Sequence, residues 1–323
     1  MFYKLEDFAN NYYLTVFINL LIFSTILLII PMCLFFLIII IKPKIKNTSN
    51  IYLYAISSGM LLIVATVGFL KDSYFDLEFV IHKNQLFTNN SSLEQFIIMI
   101  IVASGSLFGI ILMFLIRFIY LKFILNKKSN LQKNNDQITK NKSSVLTVLL
   151  FGCYKIISGF ILGTIIANVS VNKSMNISLL ITFNFLLLVE LLIIYYRQIQ
   201  YKQSKQRAII YNLSIVSLFI LSMFIGAFLN SIINSGWWLI PLIKSTAGTI
   251  LVFVVITEFI YEFIHLRNKS KKEWYLTLIF LALAMIITLL LLSFNLYESD
   301  IKIINNNINI DNENGSHYHN HAH

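Results

Sequence analysis

Residues 14–41 read LTVFINLLIFSTILLIIPMCLFFLIIII, 28 residues without one Asp, Glu, Lys, Arg or His. About 20 apolar residues cross the hydrocarbon core of a bilayer, so this run is long enough to span it with length to spare. Pro31 inside the run predicts a kink or tilt. The run is too long for the core of a signal peptide and has no small-residue cleavage site, so it is expected to be an uncleaved first span.

The same ruler finds further apolar runs at 51–70, 95–121, 145–167, 177–196, 208–233, 238–264 and 274–296. Together they predict an all-α polytopic membrane protein, a bundle of eight transmembrane helices. Composition agrees. Of 323 residues, 57% are hydrophobic and 12% are charged, against about 25% charged in a soluble domain. Ile, Leu, Phe, Asn, Lys and Tyr dominate, a usage that an AT-rich genome also favours, so the Asn-rich loops carry no signal of their own. Cys33 and Cys153 lie inside apolar runs and define neither a disulfide framework nor a zinc knuckle.

The formal charge of +10 would suit nucleic acid, but its distribution points to membrane topology. Loops 42–50, 122–144, 197–207 and 265–273 hold seventeen Lys or Arg. The N-terminal stretch, loops 71–93, 168–176 and 234–237, and the C-terminal tail hold five. The positive-inside rule puts the richer set in the cytosol. Both termini are then extracytoplasmic, in the plasma membrane or an organelle membrane. Trp237 and Trp238, at the turn between spans six and seven, suit the interface. Four regions follow: helices one to three in 1–125, a cytosolic loop expected to be disordered in 126–144, helices four to eight in 145–296, and an extracytoplasmic tail in 297–323. Gly105 with Gly109, and Gly159 with Gly163, have the spacing of close helix contacts. Such faces also suit a homodimer.

Charges inside a membrane cost at least about 2.5–3.5 kcal/mol on insertion scales and point to function. Lys155, Glu190, Glu258 and Glu262 are the deep ones, with Arg117 and Lys244 nearer span ends. Lys155 and Glu190 both fall about 10–15 Å from the cytosolic boundary at 1.5 Å per residue. Equal depth on consecutive helices predicts an ion pair, which serves equally as a structural lock or as part of a pathway. Glu258 and Glu262 are four apart and share a helix face. They suit a divalent cation, although Glu262 also reads as a solvated residue at the cytosolic end beside His265 and Arg267.

The order, spacing and topology of these spans resemble the ZIP (Zrt/Irt-like) divalent-metal transporters. That family also has a long variable third loop in the cytosol and extracytoplasmic termini. The resemblance covers most of the chain. In span four, Tyr154-Lys155-Ile156-Ile157-Ser158-Gly159 and Gly163 stand where the family has a His-Asn-x-x-Asp/Glu-Gly motif. The glycines match, but Tyr154, Lys155 and Ser158 occupy the ligand positions. In span five, Leu186-Leu187-Leu188-Val189-Glu190 stands for His-Glu/Asn-x-Pro-Glu, and Glu190 alone survives. Ser204-Lys205-Gln206-Arg207-Ala208, Tyr211-Asn212-Leu213 and Gly226-Ala227 resemble the family's sixth span and its lead-in. Ala247-Gly248-Thr249 through Glu258 to Glu262 resembles its glycine-then-acidic seventh span. Ser58-Gly59 through Gly68 to Asp72 resembles the second, with Gly68 at the position of the histidine and Lys71 at that of the proline.

The resemblance implies a transmembrane zinc or iron(II) transporter, with the metal as cargo rather than cofactor and a pathway through Tyr154, Lys155, Ser158, Glu190, Glu258, Glu262 and Asp72. The ligand set departs from what zinc and iron(II) favour, imidazole and carboxylate. Tyr and Ser hydroxyls stay protonated at neutral pH, and a protonated Lys155 opposes a dication. Two readings stand: a transporter with an altered site, or a transport-inactive relative acting as a metal sensor, scaffold or partner of an active family member. The tail adds His317, His319, His321 and His323. These imidazoles suit zinc, copper or nickel, so the tail is either a metal-capturing segment or a solvated one. Glu190, Glu258 and these four histidines are the expected metal ligands. No nucleophile–base pair or phosphate loop suggests an enzyme.

Overall fold

The computed structural model describes residues 11–41, 47–83, 91–126, 135–172, 177–200, 203–233, 236–260 and 271–316. In chain order the helices are α1 (Tyr12–Ile41), α2 (Asn47–Ile63), α3 (Asp72–Lys83), α4 (Ser91–Asn126), α5 (Asn135–Asn172), α6 (Ile177–Gln200), α7 (Lys205–Ile233), α8 (Leu239–Val254) and α9 (Lys271–Ser316). A π-helical segment, Val64–Lys71, joins α2 to α3 without a break, and another, Val255–Ile260, continues α8.

Among the described residues, seven helices are long and apolar enough to cross a membrane, and the chain is a multi-pass helical membrane protein. They fall on seven of the eight predicted runs. Helix α6 occupies the remaining run, 177–196, and is not one of the seven. It carries Asn184, Glu190, Arg197 and Gln198, all buried. Phe108, Ile111, Phe114 and Phe118 on α4 are among the large apolar side chains left exposed, which suits a face turned to lipid.

Three expectations about loops change. Residues 71–83 were expected in a loop and continue the second helix instead. Tertiary contacts hold them there: Ser73 Oγ donates to the Pro241 carbonyl at 2.6 Å, and Asp72 and Asp76 both meet Lys244. The loop expected to be disordered over 126–144 is helical from Asn135 onward, because its second half extends α5. The last helix runs on to Ser316, well into the segment read as a tail.

The core has two main parts. One gathers α1, α5, α6 and α7 around Phe23, Leu27, Leu162, Leu187 and Phe219. The other gathers α2, α4, α5, α6, α8 and α9, with Ile215 of α7, around Tyr54, Leu61, Phe151, Val254 and Phe259. Helices α5 and α6 contribute several residues to each and form the seam between them. Small residues set the closest approaches, as membrane helices require when hydrophobicity alone cannot drive association. On α5, a Cβ at Gly159 would run into Phe219 O, and one at Gly163 into Met223 O; on α7, one at Gly226 would strike Phe160 O. Gly109 on α4 also lies close to α8, where its Cβ would stand 2.8 Å from Thr246 O, and Thr246 Oγ1 donates to the Gly105 carbonyl at 3.0 Å. A Cβ at Gly59 on α2 would collide with Leu281 O on α9.

Candidate functional site

Lys155, Glu190 and Glu258 meet partners along the inside of the bundle. On α5, Tyr154, Lys155 and Ser158 share a buried face. The Lys155 ammonium crosses the seam to Glu190 Oε2 on α6, the ion pair that equal depth predicts. Lys155 is 4% exposed and Glu190 1%. The ammonium also lies over the Tyr154 ring at 5.4 Å and the Phe219 ring at 5.1 Å, so two aromatic faces replace some of the hydration it loses. Ser158 Oγ donates to the Lys155 carbonyl at 3.3 Å. Glu190 Oε1 accepts no hydrogen bond among the described residues. Thus Lys155 and Glu190 pair beside the Tyr154 ring, with Ser158 on the same buried face of α5.

Two helical turns further along α6, Arg197 forms a second pair. Its Nη2 donates to Glu258 Oε2 and its Nη1 to the Glu258 backbone carbonyl, each at 2.9 Å. Both residues are buried, and the guanidinium lies 5.7 Å from the centre of the Tyr54 ring. Glu258 sits in the π-helical segment Val255–Ile260, where a wider turn is a frequent feature of functional sites. The sequence counted Arg197 among the cytosolic loop charges; it is instead a buried residue of α6. The signal was available, since seven residues separate it from Glu190 and two helical turns return to the same face. Glu262 lies outside the described residues, so its spacing with Glu258 has no structural counterpart here.

A third cluster sits at the far end of α8. Lys244 Nζ reaches both Asp72 and Asp76 on α3, the latter at 2.6 Å. Asp72 was expected to line a pathway, whereas Asp76 was missed although it follows Asp72 at the i, i+4 spacing of one helix face. Fourteen residues separate Lys244 from Glu258 on one helix, roughly 20 Å at 1.5 Å per residue. Opposite formal charges balance in the two inner pairs, and in the third cluster one ammonium meets two carboxylates.

A cavity of about 100 Å³ lies beside Lys244 and Asp72, lined also by Gly68, Ile161, Leu186 and Leu292. Gly68 and Leu186 are positions that the resemblance aligns with histidine, and here they present no donor. Among the described residues, no group of three or more His, Cys, Asp or Glu side chains could hold a metal ion. His317, His319, His321 and His323 lie outside the described residues. No family model and no curated protein matches the chain.

Proposed function

We propose that the chain is a transport-inactive, ZIP-like membrane protein that acts as a metal-sensing or scaffolding partner, with a second copy or an active ZIP-type transporter as its partner. In this reading it has eight spans, α6 being the fifth, and both termini extracytoplasmic, in the plasma membrane or an organelle membrane. The histidines of 317–323 supply the metal-sensing element. The observation that carries the reading is the buried pair of Lys155 and Glu190. A dication reaching Glu190 must displace an ammonium already desolvated beside it, and stranding a buried charge costs about 3–5 kcal/mol. Glu258 is engaged by Arg197 and Asp72 by Lys244, so each described carboxylate of the expected pathway already has a cation.

One observation favours a second reading, transport of zinc or iron(II) through Glu190, Glu258 and Asp72. Glu190 keeps one oxygen without a hydrogen-bond partner, and such a buried acceptor is expensive to leave unmade. A passing cation could use it once Lys155 swings aside.

Zinc and iron(II) uptake into proteoliposomes separates the two. Absence of uptake by the wild type, with flux appearing in Lys155→Ala, supports the inactive reading. Uptake by the wild type that Glu190→Ala abolishes supports transport.

A further inference from the structure

Lys155, Arg197 and Lys244 each sit on a carboxylate. Arg117 on α4 enters no ion pair among the described residues, although it too lies within an apolar span. The register of α4 on α8 accounts for this. A Cβ at Gly105 would meet Ser245, and one at Gly109 would meet Thr249, so the two helices run parallel and stay level turn by turn. Eight residues beyond Gly109, Arg117 is level with Thr257. The carboxylate next to Thr257 is Glu258, which Arg197 already holds.

Arg117 is partly buried and stands at an edge. Met113 and Tyr120, a turn before and a turn after it, are buried, whereas Phe114 and Phe118 are 58% and 64% exposed. At about 100° per residue, Arg117 falls between these two faces, where α4 turns from the bundle to the lipid. The apolar span of α4 ends at Tyr120, three residues on, or roughly 5 Å of rise. An arginine at that depth can carry its guanidinium to the headgroups while its stem stays against apolar surface.

A charge at the lipid edge of a helix takes its counter-charge from outside the bundle. Phosphate is the anion a bilayer offers at that level, and the guanidinium fork fits two of its oxygens. Lys122, exposed and five residues on, adds a second positive charge. Together they oppose the amine of a zwitterionic headgroup and favour one of net negative charge. Back along α4, Phe114 and Ile110 are exposed, and Phe253 of α8 lies edge-on to Phe114 at 5.3 Å. An acyl chain thus has an apolar track leading from the phosphate into the bilayer.

We infer that Arg117 holds the phosphate of an anionic phospholipid at the border of α4 and α8, with one acyl chain along Phe114 and Ile110. The inference rests on this edge of the bundle alone and does not depend on whether the protein moves metal.

The test is native mass spectrometry of the full chain in detergent, titrated with dioleoyl phosphatidylglycerol or dioleoyl phosphatidylcholine. The wild type should bind one phosphatidylglycerol at least about tenfold tighter than phosphatidylcholine. Arg117→Gln should weaken that lipid about tenfold, whereas Lys271→Gln, at another exposed cation, should leave it unchanged. Thermal unfolding supplies a second readout. Phosphatidylglycerol should raise the midpoint of the wild type and not that of Arg117→Gln, while the two proteins unfold alike in lipid-free detergent. Phosphatidylglycerol binding that survives Arg117→Gln overturns the site, and equal binding of the two lipids overturns its preference for an anionic headgroup. Displacement by millimolar inorganic phosphate would assign the site to free phosphate instead of lipid. An Arg117→Gln protein that is already less stable without lipid would give the arginine a partner inside the bundle and overturn its assignment to lipid.

Discussion

The Lys155 ammonium meets one oxygen of the Glu190 carboxylate across the seam of the two cores, and the other oxygen accepts no hydrogen bond among the described residues. The pair is therefore buried but incompletely satisfied. Removing one partner leaves a desolvated charge, so Lys155→Met and Glu190→Leu should each destabilise the protein by about 3–5 kcal/mol. The double variant should recover most of that loss, since apolar residues of similar volume often replace a buried pair without penalty. Thermal unfolding of the four proteins in one detergent reads the cycle. A double variant as unstable as the sum of the singles would mean that the two side chains do not interact.

Arg197 donates from two nitrogens to one residue, the side chain and carbonyl of Glu258. Lysine keeps the charge but lacks the planar fork. Arg197→Lys should cost about 1–3 kcal/mol, one charge-assisted hydrogen bond left unmade. Wild-type stability in Arg197→Lys would show that charge alone suffices there.

Lys244 stands between two carboxylates spaced four residues apart on α3. Lys244→Met removes the cation that both share, and paired carboxylates take divalent cations. Millimolar calcium should then raise the unfolding midpoint of Lys244→Met while leaving the wild type unchanged. An identical response in both proteins would mean that Asp72 and Asp76 do not act together.

The contact of α5 with α7 depends on glycine. Gly163→Ala should destabilise by about 1–3 kcal/mol, the usual range for overpacking a tight site, because its new Cβ collides with the Met223 carbonyl. Gly152→Ala has room, with Leu218 Cδ1 at 3.9 Å, and should gain about 0.4–1 kcal/mol from a stiffer unfolded chain. Denaturant titration of the two variants side by side checks the contrast.

Runs of apolar residues carry their own message about the bilayer, which is why seven of the predicted spans could be placed from residues alone. The glycine pairs were legible for the same reason: spacing on one helix is local. The Lys155–Glu190 contact was legible because two depths could be compared. What could not be read was which helix faces which. Arg197 looked like a loop residue because its partner, Glu258, is 61 residues away, and Asp76 looked like loop polarity because Lys244 is 168 residues away. Helix over residues 71–83 was hidden likewise, since Asp72, Ser73 and Asp76 find their partners on or beside α8.

One long helix is interrupted by a π-helical turn, Val64–Lys71 just before Asp72, and another passes into one, Val255–Ile260 around Glu258. Bonding to i+5 in place of i+4 takes an additional residue into the turn. One residue corresponds to about 100° of rotation and 1.5 Å of rise in an α-helix. Each helix thus holds a reserve of chain beside a charged residue, and tightening the turn would swing that carboxylate away from its cation without moving the helix ends far. Such a change is confined to the residues around Asp72 or Glu258.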